Sequence, residues 1–107
     1  MSDEHAHVIR VAKYRADPGM RDQLLARMHE LAEAMRELPG VFGAQVCTIS
    51  KAPEWLALIS RWRDEESMAG IDGTPAARLT QDVVGLADEE EIEHFIADEV
   101  QDPSRAC

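Results

Sequence analysis

Two hydrophobic periods alternate along the chain, and the switches between them outline a fold. Val8 to Arg15 is short and rich in β-branched residues, which marks a strand. Leu24, Met28, Leu31, Met35 and Leu38 then recur at spacings of four, three, four and three, one face of a helix. Asp17 is placed to cap that helix with Pro18 at its first position, and Pro39-Gly40 ends it. Val41 to Ser50 and Trp55 to Arg63 read as a second and a third strand, joined by the polar turn Lys51-Ala52-Pro53-Glu54. Gly43 inside the former marks a bend or bulge. Asp64 offers a cap to a short turn of helix through Ala69, and Asp72-Gly73 interrupts it. Thr74-Pro75 opens another helix, whose apolar face is Leu79, Val83 and Leu86. Glu91 to Ala97 is the last strand. The order β-α-β-β-α-β predicts an α+β, ferredoxin-like plait with an antiparallel sheet.

Side chains alternate across a sheet, so each strand can be sorted by face. Val8, Ala12 and Tyr14 oppose Ile9 and Val11. Leu56, Leu58, Ser60 and Trp62 oppose Trp55, Ala57, Ile59 and Arg61. Val41, Gln45, Cys47 and Ile49 oppose Phe42, Ala44, Val46 and Thr48. Neither face is clearly polar, whereas a sheet with one wet face alternates cleanly. Two helices cover one face only. A second copy of the chain is the natural cover for the other, since each large apolar side chain buried there contributes about 1.5–3 kcal/mol. A permanent homodimer through the sheet faces, with two-fold symmetry, is expected.

At 107 residues the chain is expected to form a single domain, with a core at about 8–97 and loose ends at 1–7 and 98–107. The formal net charge of -10, from 21 acidic against 11 basic residues, argues against nucleic acid and anionic membrane surfaces as partners. No apolar run is long enough to span a bilayer. Met1-Ser2-Asp3-Glu4 does not resemble a signal peptide, so a cytoplasmic location is expected. Cys47 and Cys107 make no disulfide framework, and Cys47 is expected to fill the core as a small hydrophobe. The acidic run Asp88-Glu89-Glu90-Glu91 reads as a solvated charged edge and lacks the spaced ligands and Gly of a calcium loop. With no Gly-rich phosphate loop, Ser-His-Asp order or Cys-His metal spacing, no bound cofactor or metal is expected.

Candidate site residues are few. Trp62 shares a face with Ser60, Leu58 and Leu56, where it lines a helix–sheet cavity or packs the core. Tyr14, the single tyrosine, is a pocket hydroxyl or an edge residue with a wet OH. Histidine titrates near neutral pH. His94, on the face of Ile92 and Ile96, is the first candidate base, against a sheet or interface histidine. His29, at the border of the first helix's apolar face, is a second candidate base or a boundary surface residue. His5 and His7 belong to the N-terminal arm and do not complete a metal site. Arg61 and Arg63 are expected to serve ion pairs.

The segments Val8 to Arg15, Pro18-Gly19, Glu37-Leu38-Pro39-Gly40, Gly43-Ala44-Gln45-Val46 and Ser60-Arg61-Trp62 resemble the antibiotic biosynthesis monooxygenase (ABM) domain family over roughly Val8 to Ile96. The resemblance implies a plait that dimerises through its sheets into an α/β barrel. It also implies a choice of chemistries, from cofactor-free oxygenases of polycyclic aromatic polyketides to haem-degrading oxygenases. The haem-degrading branch pairs a Trp with an Asn on the first strand and a His on the later helix. Trp62 matches the Trp, but the chain has no Asn, Lys13 or Tyr14 stands in that place, and Thr74 to Leu86 contains no His. Haem degradation is therefore not expected. In the cofactor-free branch, polar groups near the Trp include an Asn and a Tyr; Leu58 and Met68 stand at about those places and are assigned, with Trp62 and Tyr14, as substrate-binding positions. Two functions stay open: a cofactor-independent monooxygenase of an aromatic or quinone-like small molecule, with His94, Trp62 and His29 catalytic, or a non-catalytic module that binds a small apolar ligand or only dimerises. An isomerase or cyclase is a third and weaker reading, since one plait hosts several chemistries.

Overall fold

The computed structural model describes residues 7–97. Residues 1–6 of the arm, with His5, and the tail with Cys107, both expected to be loose, lie outside the described residues, whereas His7, assigned to that arm, begins the first strand. The elements are β1 (His7–Ala16), α1 (Arg21–Arg36), β2 (Val41–Thr48), β3 (Trp55–Trp62), α2 (Glu65–Ala69), α3 (Pro75–Gly85) and β4 (Ala87–Ala97). The sheet order is β2-β3-β1-β4 and every adjacent pair is antiparallel. This is the expected plait, with the second helical segment divided into α2 and α3.

The N-terminus of α1 differs from the reading in which Asp17 caps it. The Met20 N–H donates to the Asp17 carbonyl at 2.9 Å, and Gly19 has φ 81°. Pro at the second and Gly at the third position, with φ positive only at Gly, is the residue pattern of a type II turn. The chain therefore turns over Asp17 to Met20 and the helix begins at Arg21. The same device ends the helix: Leu38-Pro39-Gly40-Val41 closes with Val41 N–H on the Leu38 carbonyl at 3.4 Å and Gly40 at φ 83°. A Cβ on Gly40 would stand 2.6 Å from the Cβ of Ser67, so this glycine also lets α2 sit close to the turn. Asp64 caps α2 as expected, its Oδ1 accepting from the Ser67 N–H at 2.7 Å. The Ser67 hydroxyl, first, and then this backbone N–H hold the Asp64 carboxyl below its ordinary pKa.

The helices cover the face formed by Val8, Ala12, Tyr14, Leu56, Leu58, Ser60 and Trp62, all buried. Leu24, Met28, Leu31 and Met35 of α1 and Val83 of α3 pack onto it. On the other face Ile9, Val11, Trp55 and Ile59 are half-buried and Ala57 is buried among its neighbours. Arg15 stands over the Trp55 ring there, 6.0 Å from its centroid.

Three local readings are corrected. The register of β2 on β3 shifts between Val41 and Gly43, with Val41 opposite Trp62 and Gly43 opposite Arg61. Phe42 is the extra residue of a bulge, so Val41 lies on the helix face rather than with Gln45 and Cys47. Cys47 is not in the core: it pairs with Ala57 on the face away from the helices and is half-buried. Finally, β4 starts at Ala87, not Glu91, because its acidic residues meet cations across the ladder. Arg15 lies 2.6 Å from Asp88 and 3.1 Å from Glu89, and Lys13 lies 3.1 Å from Glu91. Ile92, Phe95 and Ile96 of this edge strand are exposed.

Candidate functional site

A cavity of about 260 Å³ opens between the helices and the sheet. Its apolar walls are Trp62 from β3, Leu31 and Met35 from α1, and Met68 from α2. Ile71 and Asp72 of the α2–α3 link and Ala77, Thr80 and Gln81 of α3 close one side. Arg10 of β1 enters from the sheet. The Thr80 hydroxyl is tied back to the Ala76 carbonyl at 2.8 Å, a local bond that turns it along its own helix.

Trp62 is fully buried, and its indole N–H donates to the Ser60 hydroxyl at 2.9 Å. Both side chains project from one face of β3 two residues apart, so the strand itself sets the bond. Ser60 lies opposite Arg10 in the ladder, and Arg10 lies opposite His94 on β4. Arg10, Ser60 and Trp62 are thus neighbours on the helix side of the sheet.

Of the residues singled out from sequence, Trp62 and Met68 line the cavity. Leu58 and Tyr14 are fully buried on the same sheet face but stand outside the cavity wall. His29 is exposed on α1 and His94 is exposed on β4; neither lines the cavity. Arg63, expected to pair with an acid, stands 3.5 Å from Asp64, while Arg61 pairs with none among the described residues. Among the described residues no His, Cys, Asp and Glu group is placed to hold a metal ion, and no helix is long and apolar enough to cross a membrane. Sequence reasoning missed Arg10, Asp72, Thr80 and Gln81. Arg10 carried a usable signal: it interrupts the apolar row Val8, Ala12, Tyr14 with a charge.

The Tyr14 hydroxyl is buried with no hydrogen bond of ordinary geometry. Burial raises its pKa; the nearby Arg10 guanidinium opposes that rise and the Glu90 carboxylate adds to it. The folded protein therefore disfavours the phenolate relative to the unfolded chain. The resulting stability is complete below the ordinary tyrosine pKa of 10.0 and is lost as pH climbs toward the higher folded value. Urea titrations from pH 8 upward should show stability falling above about pH 10, and Tyr14→Phe should flatten that fall. An unchanged slope in the variant would contradict the assignment.

The family model for antibiotic biosynthesis monooxygenase matches residues 7–83. No curated protein matches the chain. Among solved structures, a Shewanella oneidensis protein is 14% identical with a TM-score of 0.79, over 90% of this chain and 95% of that one. A candidate antibiotic biosynthesis monooxygenase from Deinococcus radiodurans is 18% identical with a TM-score of 0.79, over 89% and 96%. At those identities the likeness concerns the fold. A candidate antibiotic biosynthesis monooxygenase from Chloroflexus aurantiacus reaches 25% identity with a TM-score of 0.74, over 90% and 95%. The family match spans most of the chain, from β1 into α3, and includes every residue that lines the cavity beside Trp62, so the chain belongs to the antibiotic biosynthesis monooxygenase family.

Proposed function

We propose that this protein is a homodimeric, cofactor-independent monooxygenase of an aromatic or quinone-like small molecule, which it holds in the cavity beside Trp62. One observation carries the reading: a largely apolar helix–sheet cavity with a buried indole in its wall and a few polar groups at its edge, in a chain of this family. Its volume lies just under the usual range for ligand pockets, which suits a compact ligand. Such a ligand can be oxidised without a bound redox group. When a ring CH2 of a phenol tautomer becomes C=O, one atom of O2 enters the carbon and the other leaves as water with the two hydrogens. The substrate supplies all the electrons. The protein then has to orient the ring, exclude bulk water and accept a proton. Trp62, Met68, Leu31 and Met35 perform the first two tasks in this reading. Asp72 is the carboxylate of the cavity wall and the proton acceptor. His94 and His29, which stand outside that wall, take a proton only from a ligand that extends beyond it.

Binding without catalysis is the second reading, and one observation favours it: no His or Tyr lines the cavity. Oxygen uptake separates the two. With anthrone as probe and 18O2 as gas, protein-dependent uptake should yield anthraquinone carrying one labelled oxygen atom. Anthrone that binds yet reacts no faster than in buffer would establish the binding module instead.

A further inference from the structure

We infer that Arg10 makes the cavity beside Trp62 selective for a planar ligand that carries an oxyanion, a carboxylate or enolate, at its edge. The inference rests on the reading of that cavity as the ligand site and names the charge of what enters it.

Arg10 is half-buried on the helix side of the sheet, in a row whose other members, Val8, Ala12, Tyr14 and Ala16, are buried. A guanidinium in such a row is costly unless something answers its charge. The chain has acids to spare, 21 against 11 bases: Lys13, Arg15, Arg27 and Arg63 each have a carboxylate within 3.5 Å, while Arg21 and Arg36 donate to backbone carbonyls and Arg61, on the other sheet face, has no ion pair among the described residues. Arg10 has no ion pair among the described residues, although Asp72 lines the same cavity. Its neighbours are donors or spoken for. The Ser60 oxygen already accepts from Trp62, and the Tyr14 hydroxyl beside Arg10 is buried with its own donor unused.

Hydrogen-bonding capacity at this end of the cavity is therefore one-sided. Arg10 brings up to five guanidinium N–H donors to the cavity wall, and no carboxylate is paired with them among the described residues. A carboxylate or delocalised enolate supplies acceptors in the planar, paired geometry that the guanidinium fork fits. The flat indole of Trp62 and the flexible side chains of Met35 and Met68 provide apolar walls for the attached ring.

The test uses two probes of one shape and different charge, 2-naphthoate and 2-naphthalenemethanol, titrated calorimetrically into the full chain. Wild type should bind naphthoate about tenfold or more tighter than the alcohol, the scale of one charge-assisted contact. Arg10→Met and Arg10→Gln should each abolish that preference, bringing the two affinities within about twofold of one another, and Arg10→Lys should retain part of it. Folding of each variant is checked by circular dichroism, and either neutral variant suffices. Equal affinity for both probes in wild type, or equal loss of both in the variants, overturns the role of Arg10. If that happens while labelled oxygen still enters anthrone, the oxygenase reading stands and only the anion selectivity falls.

Discussion

Replacing Trp62 with Ala should lower stability by about 3–5 kcal/mol, the usual cost of emptying a buried aromatic site. The side chain is fully buried beneath α1 and α2, so little water can enter to relieve the void. The adjoining cavity softens the loss only if Met35 or Met68 moves into the gap. For a domain of this size each kcal/mol moves the melting temperature by roughly 4–8 °C, so the change is large in a thermal scan. Trp62→Phe separates packing from hydrogen bonding. It keeps a ring in place but removes the donor to Ser60 Oγ. Ser60→Ala does the reverse and leaves a buried indole N–H unpaired, at a cost of about 1–3 kcal/mol. Because the two groups satisfy each other, the double variant should cost less than the two single variants added. Chemical denaturation of all four proteins at one concentration checks this. A loss below about 1.5 kcal/mol for Trp62→Ala would mean that the indole is not the packing anchor of the cavity.

The plait was legible because hydrophobic period and turn chemistry agreed. Leu24, Met28, Leu31 and Met35 are all buried, as their spacing requires. Asp17-Pro18-Gly19 was misleading for a specific reason. Asp followed by Pro is a sound helix start, but Pro followed by Gly is also the middle of a type II turn, and the positive φ of Gly19 decides between them. The start of β4 was hidden by composition. Four consecutive acids read as loop until Lys13 and Arg15 are seen across the ladder, and that pairing is a property of the register rather than of either segment.

The site was legible only in part. Trp62 and Met68 come from the two sides of the β3–α2 junction, so nearness in sequence places both at one cavity. Asp72, Thr80 and Gln81 reach it through the path of the α2–α3 link, which no local pattern specifies. The histidines attracted notice because imidazole suits proton transfer. Chemistry alone does not give direction, and on α1 and β4 both lie on exposed positions.

A single charge at the centre of the open sheet face should convert the proposed dimer to monomers. Ile59 is the residue to change. It pairs with Val11 on one side and Gln45 on the other, so it sits in the middle of the half-buried surface. If two copies pack these faces together, two-fold symmetry introduces the substitution twice, close to the axis. Ile59→Glu then removes two apolar side chains from the contact and sets two carboxylates in a dry interface, at a cost of several kcal/mol for each uncompensated charge. Every 1.4 kcal/mol is tenfold in Kd, so the dissociation constant should rise by about a thousandfold or more. Sedimentation velocity at micromolar concentration should give a dimer for the native chain and a monomer for Ile59→Glu. Ala26→Glu, on the exposed side of α1, adds the same charge away from the sheet and should remain a dimer. A native chain that sediments as a monomer would overturn the dimer outright. A dimer that survives Ile59→Glu would place its contact elsewhere, and the apolar side chains Ile9, Val11, Trp55 and Ile59 would then need another cover.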